Sequence, residues 1–333
     1  MSERVLILGT SPLAHQLIAA IETQPHRRYG IVGVVYDSKV PPEAPLHYPL
    51  LGPLEHTGKI IEEFRPARII VALAERRGQM PILPLLESRM RGVVVEDGVE
   101  FYERLTGKLA IESLMPSTLI FSKGFRKSRL ALAVGRAVSA LVSVVGLVGL
   151  APLLGLIALA VKLDSRGPVL FVQHRVGVGG KRFELLKFRT MHPVDGYTSE
   201  WARDNRDRLT RLGKWLRKVR LDELPQFVNI LRGDMNLVGP RPHPVSNFQL
   251  FLERIPYYSL RPAVRPGITG WAQVRYRYAN NLAEETEKMR YDLYYLKHMS
   301  LWLDLRILLE TVKTVLLGRE SQDATCGRSE VLV

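Results

Sequence analysis

Apolar residues fall in short blocks separated by amphipathic stretches over the first hundred positions. The run "RVLIL" at 4–8 predicts a strand, Gly9 a turn, and "PLAHQLIAAIE" at 12–22 a helix with Pro12 in its first turn. "IVGVVY" at 31–36 predicts a second strand ending at Asp37. "EHTGKIIEEF" then predicts a helix, "RIIVAL" a strand, "PILPLLESRM" a helix and "GVVVED" a strand. Strand alternating with helix implies a parallel sheet covered by helices on its faces, an α/β class.

The first turn, "GTSPLA", has one glycine where a dinucleotide fingerprint has three. Asp37 stands where such folds contact a ribose. With the glycines missing, a Rossmann-like scaffold without a tight ligand is the favoured reading, and a regulatory nucleotide the minority one.

The pattern changes at 137–161, "AVSALVSVVGLVGLAPLLGLIALAV", which no charge interrupts. At about 1.5 Å per residue it is long enough for a bilayer core of about 30 Å. Pro152 lies inside it and predicts a kink. Lys123, Arg126, Lys127, Arg129 and Arg136 precede the run, and Lys162, Arg166, Arg175, Lys181 and Arg182 follow it. Positive residues stay on the cytoplasmic side, so two basic flanks predict a helix that enters, bends at Pro152 and returns, in preference to a single span.

Beyond the run, "GPVLFVQHRVG" and "RFELLKFRTM" predict two strands joined by the turn "GVGG". Lys187 and Arg189 alternate with Leu186 and Phe188, which puts both cations on one strand face. That face is an anion clamp or an ordinary solvated surface, and the spacing alone decides neither. "RLGKWLRKVR" is basic and helix-compatible. In "LDELPQFVNIL", Pro225 belongs to a helix's first turn, which places Asp222 near the N-cap. Leu221, Leu224, Val228 and Leu231 then form an apolar stripe, with Asp222, Gln226 and Asn229 on the opposite face. An N-cap accounts for Asp222 but not for Glu223, Gln226 and Asn229 beside it. The alternative is a carboxylate nucleophile with a metal-binding or acid/base neighbour. Arg217, Lys218 and Arg220 would keep it ionised and attract phosphate. Mg²⁺ together with Arg or Lys is the expected equipment for neutralising phosphate charge. In "GDMNLVGPRP", Arg241 is held between Pro240 and Pro242, which suits bidentate phosphate recognition.

Composition narrows the partners. Lys plus Arg number 47 against 33 Asp plus Glu, a formal charge of +14, so a polyanionic partner is expected. No Arg-rich tail or Arg/aromatic interleaving marks a nucleic-acid groove, and no nucleic-acid partner is expected. The single cysteine, Cys326, excludes an internal disulfide and a Cys-built zinc site. The start, "MSERVLILGT", turns polar too soon for a signal peptide.

"SRGPVLFVQHRVG", "KFRTM", "LDELPQFVNILRGDMNLVGPRP", "RPGITGWAQV" and "YDLYYLKHMSLWLDLRILLETV" resemble, in order, successive blocks of the bacterial sugar transferases. These are the monotopic phosphoglycosyl transferases, or polyprenyl-phosphate glycosyl-1-phosphate transferases, and the resemblance covers about residues 130 to 318. The N-terminal half, with "RIIVALAERRGQMP" and "FYERLTGKLAIESL", resembles the Rossmann-like domain of long members, here without their four N-terminal transmembrane helices. The subgroup it is most similar to is associated with exopolysaccharide and exosortase loci. The expected organisation is a Rossmann-like domain over 1–115, a basic linker over 116–136 and a re-entrant membrane helix over 137–162. A mixed α/β, helix-rich, membrane-associated catalytic domain over 163–318 and a disordered tail over 319–333 complete it.

The resemblance implies transfer of a sugar-1-phosphate from a UDP-sugar to undecaprenyl phosphate at the cytoplasmic face of the bacterial inner membrane. UMP is released and exopolysaccharide or O-antigen-type synthesis begins. It implies Asp222 as nucleophile and Glu223 as its Mg²⁺-linked partner. Arg217, Arg241 and Lys187 match positions that bind phosphate or nucleotide, and Asp292 in "YDLYY" matches a further acidic position. An anionic lipid surface is an expected partner, and a homodimer is compatible with it. Three positions depart from the family pattern. Ala151 stands where many members carry Ser, Ser139 where many carry Asp, and "RYRYANN" where many read Asn-Gly-Arg. Two other function classes remain: a nucleotide-sugar-modifying enzyme centred on the N-terminal domain, and a non-catalytic membrane scaffold.

Overall fold

The structure, a computed structural model, describes residues 2–24, 28–37, 47–75, 78–114, 116–122, 124–125, 127–192, 208–276 and 279–317. Its chain divides into two compact units, Met1–Phe121 and Ser122–Val333. The expected tail over 319–333 lies outside the described residues.

In the first unit, β1 (Glu3–Leu8), α1 (Pro12–Glu22), β2 (Tyr29–Tyr36), β3 (Leu50–Pro53), α2 (Thr57–Phe64) and β4 (Arg68–Val71) follow one another. They are succeeded by α3 (Ile82–Met90), β5 (Val94–Asp97), α4 (Gly98–Thr106) and α5 (Pro116–Phe121). The five strands form one parallel sheet in the order β3-β2-β1-β4-β5. The central strand β1 is covered on both faces, so Val5 to Leu8 are continuously apolar rather than alternating. At the strand ends, Gly9 has φ +109°, and a Cβ there would lie 2.5 Å from the Ala72 carbonyl. Only glycine lets this turn cross so close to β4. Ser11 Oγ donates to Ala72 O at 2.6 Å, and Thr10 Oγ1 to Asp37 Oδ1 at 2.8 Å. The carboxylate that the sequence offers to a ribose is thus held by its own sheet's first loop.

In the second unit, α6 (Arg129–Gly149) is followed by α7 (Ala151–Asp164), and β6 (Leu170–Val176) pairs antiparallel with β7 (Arg182–Phe188). Then come α8 (Arg211–Lys218), a 3₁₀ turn at Leu221–Glu223, α9 (Gln226–Arg232), β8 (Asn236–Val238) and α10 (Val245–Arg254). A 3₁₀ stretch at Tyr258–Ala263, β9 (Gly267–Thr269), α11 (Trp271–Arg275), α12 (Leu282–His298) and α13 (Leu301–Leu317) complete it. β8 and β9 run parallel. Met235, Leu237, Trp271, Tyr291, Tyr295 and Ile307 belong to its principal core.

The apolar run is two helices, not one helix bent at Pro152. The break falls at Leu150, which both ends α6 and precedes α7. Pro152 then occupies the first turn of α7, where a missing N–H costs nothing, and Leu154 N bonds back to Leu150 O at 2.8 Å. The helix also starts earlier than the apolar run, at Arg129, capped by Ser128. Its packing is inside out: Ser139 and Ser143 face the protein, while Leu141, Val145 and Val148 are exposed. Leu156, Leu159 and Leu163 of α7 are exposed as well. Among the described residues, α6 is the one helix long and apolar enough to cross a membrane.

Arg136, Ser139 and Gly146 tie α6 to the rest of this unit. Arg136 Nη1 donates to Met235 O at 2.9 Å, and its Nη2 to Leu231 O at 3.4 Å. Leu237 N donates to Ser139 Oγ at 3.2 Å, which joins α6 to β8. A Cβ on Gly146 would meet the Phe227 ring at 2.6 Å.

Candidate functional site

Val219 caps the C-terminus of α8, and Arg220 follows in a left-handed conformation (φ 59°). Such a backbone is costly for a non-glycine residue, and strain of this kind collects at functional turns. It reverses the chain into the 3₁₀ turn that carries Asp222 and Glu223. Pro225 precedes α9 as its cap residue, so Asp222 is not the N-cap expected from the sequence. The physical reason is Pro225 itself: it starts the helix one turn later, and among the described residues no backbone N–H donates to the carboxylate. Among the described residues no side chain donates a hydrogen bond to Asp222.

The polar face of this segment departs from that of a soluble helix. Asp222, Gln226 and Asn229 are 6, 2 and 0% exposed, while Leu231 of the apolar stripe is 40% exposed. The polar face is thus turned inward, while Leu221, Leu224 and Val228 of the apolar stripe are half-buried, Leu221 against the core of Ile157, Val161, Phe188 and Leu216.

Glu223 is the hub of the cations. Its Oε1 lies 2.9 Å from Arg241 Nη2 and 3.3 Å from Lys187 Nζ, and its Oε2 is 3.9 Å from Arg220. Burial alone would raise this carboxyl; Arg241, then Lys187 and Arg220, overcome it and hold Glu223 well below the usual carboxylate range. Asp222 moves the other way. Burial raises it, the charge of Glu223 adds to this, and Lys187, Arg217 and Arg241 only partly offset them. Burial, and next the charge of Arg241, push Lys187 down to about 8. Two adjacent carboxylates with divergent proton affinities are the signature of a tuned site.

The other sequence candidates divide into two groups. Arg217 Nε donates to Thr190 Oγ1 at 2.9 Å, and its charge acts on Asp222. Gln226 is buried one turn beyond Asp222, with an amide nitrogen that no described residue accepts from. Asn229 and Arg189 spend their hydrogen bonds on the scaffold. Asn229 accepts from Leu186 N at 3.0 Å and donates to Glu184 O at 2.6 Å, pinning α9 to β7 and setting Lys187 opposite Glu223. Arg189 donates to Ser165 O at 2.6 Å, to Val161 O at 3.2 Å and to Pro168 O, closing the end of α7. The cation pair expected to clamp one anion is therefore split: Lys187 faces Glu223 and Arg189 does not.

Asp292 also lies behind the site rather than in it. It is buried against Arg261, with Nε to Oδ2 at 2.7 Å. Arg261 Nη1 meets His243 Nδ1 at 2.9 Å, and Nη2 donates to the Arg241 carbonyl at 2.6 Å. His243 Nε2 is 2.9 Å from Glu285, which Lys288 also pairs. Burial, and then the charge of Arg261, push His243 down to about 3. Neutral, it accepts at Nδ1 and donates from Nε2 to Glu285. Sequence reasoning missed Arg261, His243 and Glu285. A signal existed: Glu285, Lys288 and Asp292 recur at helical spacing on the same side of α12 as the core residues Met289 and Leu296.

A buried carboxylate pair ringed by Lys187, Arg220 and Arg241, in the unit whose helices α6 and α7 turn apolar faces outward, defines a class: an α/β protein of membrane type with a densely charged buried site. The chain belongs to the bacterial sugar transferase family, whose model matches residues 130–318. It is 41% identical over 217 residues to the UDP-N-acetylgalactosamine-undecaprenyl-phosphate N-acetylgalactosaminephosphotransferase of Aeromonas hydrophila, covering 65% of this chain and 51% of that one. It is 34% identical over 333 residues to the undecaprenyl-phosphate glucose phosphotransferase of Komagataeibacter xylinus, covering 96% of this chain and 60% of that one. It is 40% identical over 190 residues to the exopolysaccharide production protein PSS of Rhizobium leguminosarum bv. phaseoli, covering 54% of this chain and 94% of that one. The chain thus spans between 51% and 60% of the length of the first two relatives.

Proposed function

We propose that this protein transfers a sugar-1-phosphate from a UDP-sugar to undecaprenyl phosphate through a covalent intermediate on Asp222. One observation carries the reading: Asp222 is buried beside a cation-saturated Glu223, and no described side chain hydrogen-bonds its oxygens. An Asp222 oxygen attacks the phosphorus that bears the sugar. The P–O bond to the bridging oxygen breaks, and UMP leaves with that oxygen and its electron pair. An oxygen of undecaprenyl phosphate then attacks the acyl phosphate, forms the new P–O bond and restores the Asp222 carboxylate. One phosphoanhydride is exchanged for another, so the residues' task is positioning and charge stabilisation.

Charge matching supports this assignment. Lys187, Arg217, Arg220 and Arg241 set against Asp222 and Glu223 leave a local excess of two positive charges, the complement of a nucleoside diphosphate diester. Glu223 keeps Arg241 and Lys187 gathered at the site. Mg²⁺ fits the donor set only as a shared ion. Among the described residues no cluster of three His, Cys, Asp or Glu exists, whereas Asp222 and Glu223 offer hard carboxylate oxygens to be completed by substrate phosphates. Bound there, it would supply further positive charge to the diphosphate.

The membrane reading rests on the helices. α6 as a whole is long enough to cross, but its charge-free part from Ala137 to Gly149, like α7, reaches only roughly 20 Å at about 1.5 Å per residue, short of a core of about 30 Å. That favours entry and return from the cytoplasmic face of the bacterial inner membrane, where both basic flanks remain. Arg211, Lys214, Trp215 and Lys218 share one exposed face of α8, which packs on α7. This face suits anionic lipid headgroups, at about 1 kcal/mol per near-surface cation.

The test is product analysis. With polyprenyl phosphate present, the wild type should release UMP from a UDP-sugar and the Asp222→Asn variant should not. Release of UDP by the wild type would refute the mechanism.

A further inference from the structure

The segment Pro240-Arg241-Pro242 has an unusual backbone problem. Two of its three residues have no N–H, which leaves the segment a single backbone donor. It is held through its acceptors instead. Pro240 O accepts from Gly267 N at 3.0 Å, Arg241 O from Arg261 Nη2 at 2.6 Å, and Pro242 O from Arg175 Nη1 at 2.9 Å. The next carbonyl, of His243, accepts from Val176 N at 3.1 Å. Three of these four partners come from β6 or β9. The fourth, on Arg241 itself, is a buried side chain.

Arg261 is fixed on every arm. Its Nε is tied to Asp292, its Nη1 to His243, and its Nη2 to the Arg241 carbonyl. His243 is in turn fixed by Glu285 through Nε2 and by Tyr258, whose hydroxyl lies 2.5 Å from Nδ1. A planar guanidinium with donors in three directions meets this geometry, and an ammonium does not. The result is a continuous chain from Asp292 through Arg261 to the Arg241 backbone, and from the Arg241 guanidinium to Glu223 at 2.9 Å.

We infer that Arg261 is the positioning residue for Arg241: it sets the aim of the diphosphate clamp from behind, without touching substrate, and Asp292 and His243 hold it there. This rests on the proposed function for the identity of the diphosphate, but the coupling between the two arginines can be read without turnover.

The experiment is a double-mutant cycle on the full chain in detergent, with Arg261→Lys, Arg241→Ala and the pair. Two readouts are taken: calorimetric binding of UDP, and UMP release. Asp292→Asn, which keeps the side-chain volume and an oxygen facing Arg261, serves as a milder second probe, and thermal unfolding shows that each variant is folded. Arg261→Lys should weaken UDP binding roughly tenfold or more when Arg241 is present, and change it by less than about twofold when Arg241 is alanine. Asp292→Asn should show the same dependence on Arg241 with a smaller effect. Equal losses in both backgrounds would make Arg261 a purely structural residue and overturn the inference, as would failure of the wild type to bind UDP. UDP coupling without UMP release would leave the inference standing and sink the proposed reaction instead.

Discussion

Asp222 and Lys187 need opposite protonation states. The nucleophile works ionised, and burial together with Glu223 raises its proton affinity, so the acid limb should lie above that of an ordinary aspartate. Lys187 works protonated, and burial beside Arg241 brings it to about 8, so charge is lost as pH rises through that value. A bell-shaped kcat/KM profile is expected, with its basic limb near 8. Lys187→Arg, which stays charged, should remove the basic limb and leave the acid limb in place. A basic limb unchanged in Lys187→Arg would assign it to another group. The carboxylate pair and the Pro-flanked arginine were legible in the sequence because their neighbours are local. The reason Arg189 and Asn229 leave the site was not, since their partners at Ser165, Pro168, Glu184 and Leu186 lie far off in the chain or on another element. Arg261 escaped for the same reason: its value comes from a carbonyl twenty residues away.

Periodicity together with turn residues predicts β1, α1, β2, α2, β4, α3 and β5 of the first unit, and α1 matches its predicted bounds of 12–22. β3 and α4 have no counterpart in the predicted pattern; α4 follows β5 without a loop because Asp97 caps it, accepting from Val99 N at 2.8 Å. Around the membrane run the pattern gave the apolar surface but not the break at Leu150, because Pro152 acts by starting a helix rather than bending one. What periodicity could not show is the inner stripe of small residues through which α6 meets α9. Gly146→Leu tests that contact. A side chain there must displace the Phe227 ring, which a Cβ alone would approach to 2.6 Å. Overpacking of this kind typically costs about 1–3 kcal/mol. Because Phe227 and Asp222 sit on consecutive turns, UMP release should fall together with thermal stability. Gly146→Ala should show the same changes in weaker form, and a Gly146→Leu protein with unaltered activity would show that α9 does not depend on this seam.

At the scale of the molecule, the two units carry separate cores. That of the first includes Leu6, Leu8, Val35, Ile69 and Val71, and that of the second Met235, Trp271, Tyr291 and Ile307, with no residue in common. All residues of the proposed chemistry, and the family match over 130–318, lie in the second unit. The alignment to the Rhizobium relative spans 190 residues and 94% of that protein, more than the first unit could supply. A chain beginning at Ser122 should therefore fold and release UMP from the same UDP-sugar as the full protein. Calorimetry of the full protein should show two transitions, the first unit's being absent from the shortened chain. Loss of UMP release in a folded, membrane-bound Ser122–Val333 protein would place a necessary element within residues 1–121. The loops at the C-terminal ends of β1 and β4, already closed by Gly9, Thr10 and Ser11, would then be the first region to mutate.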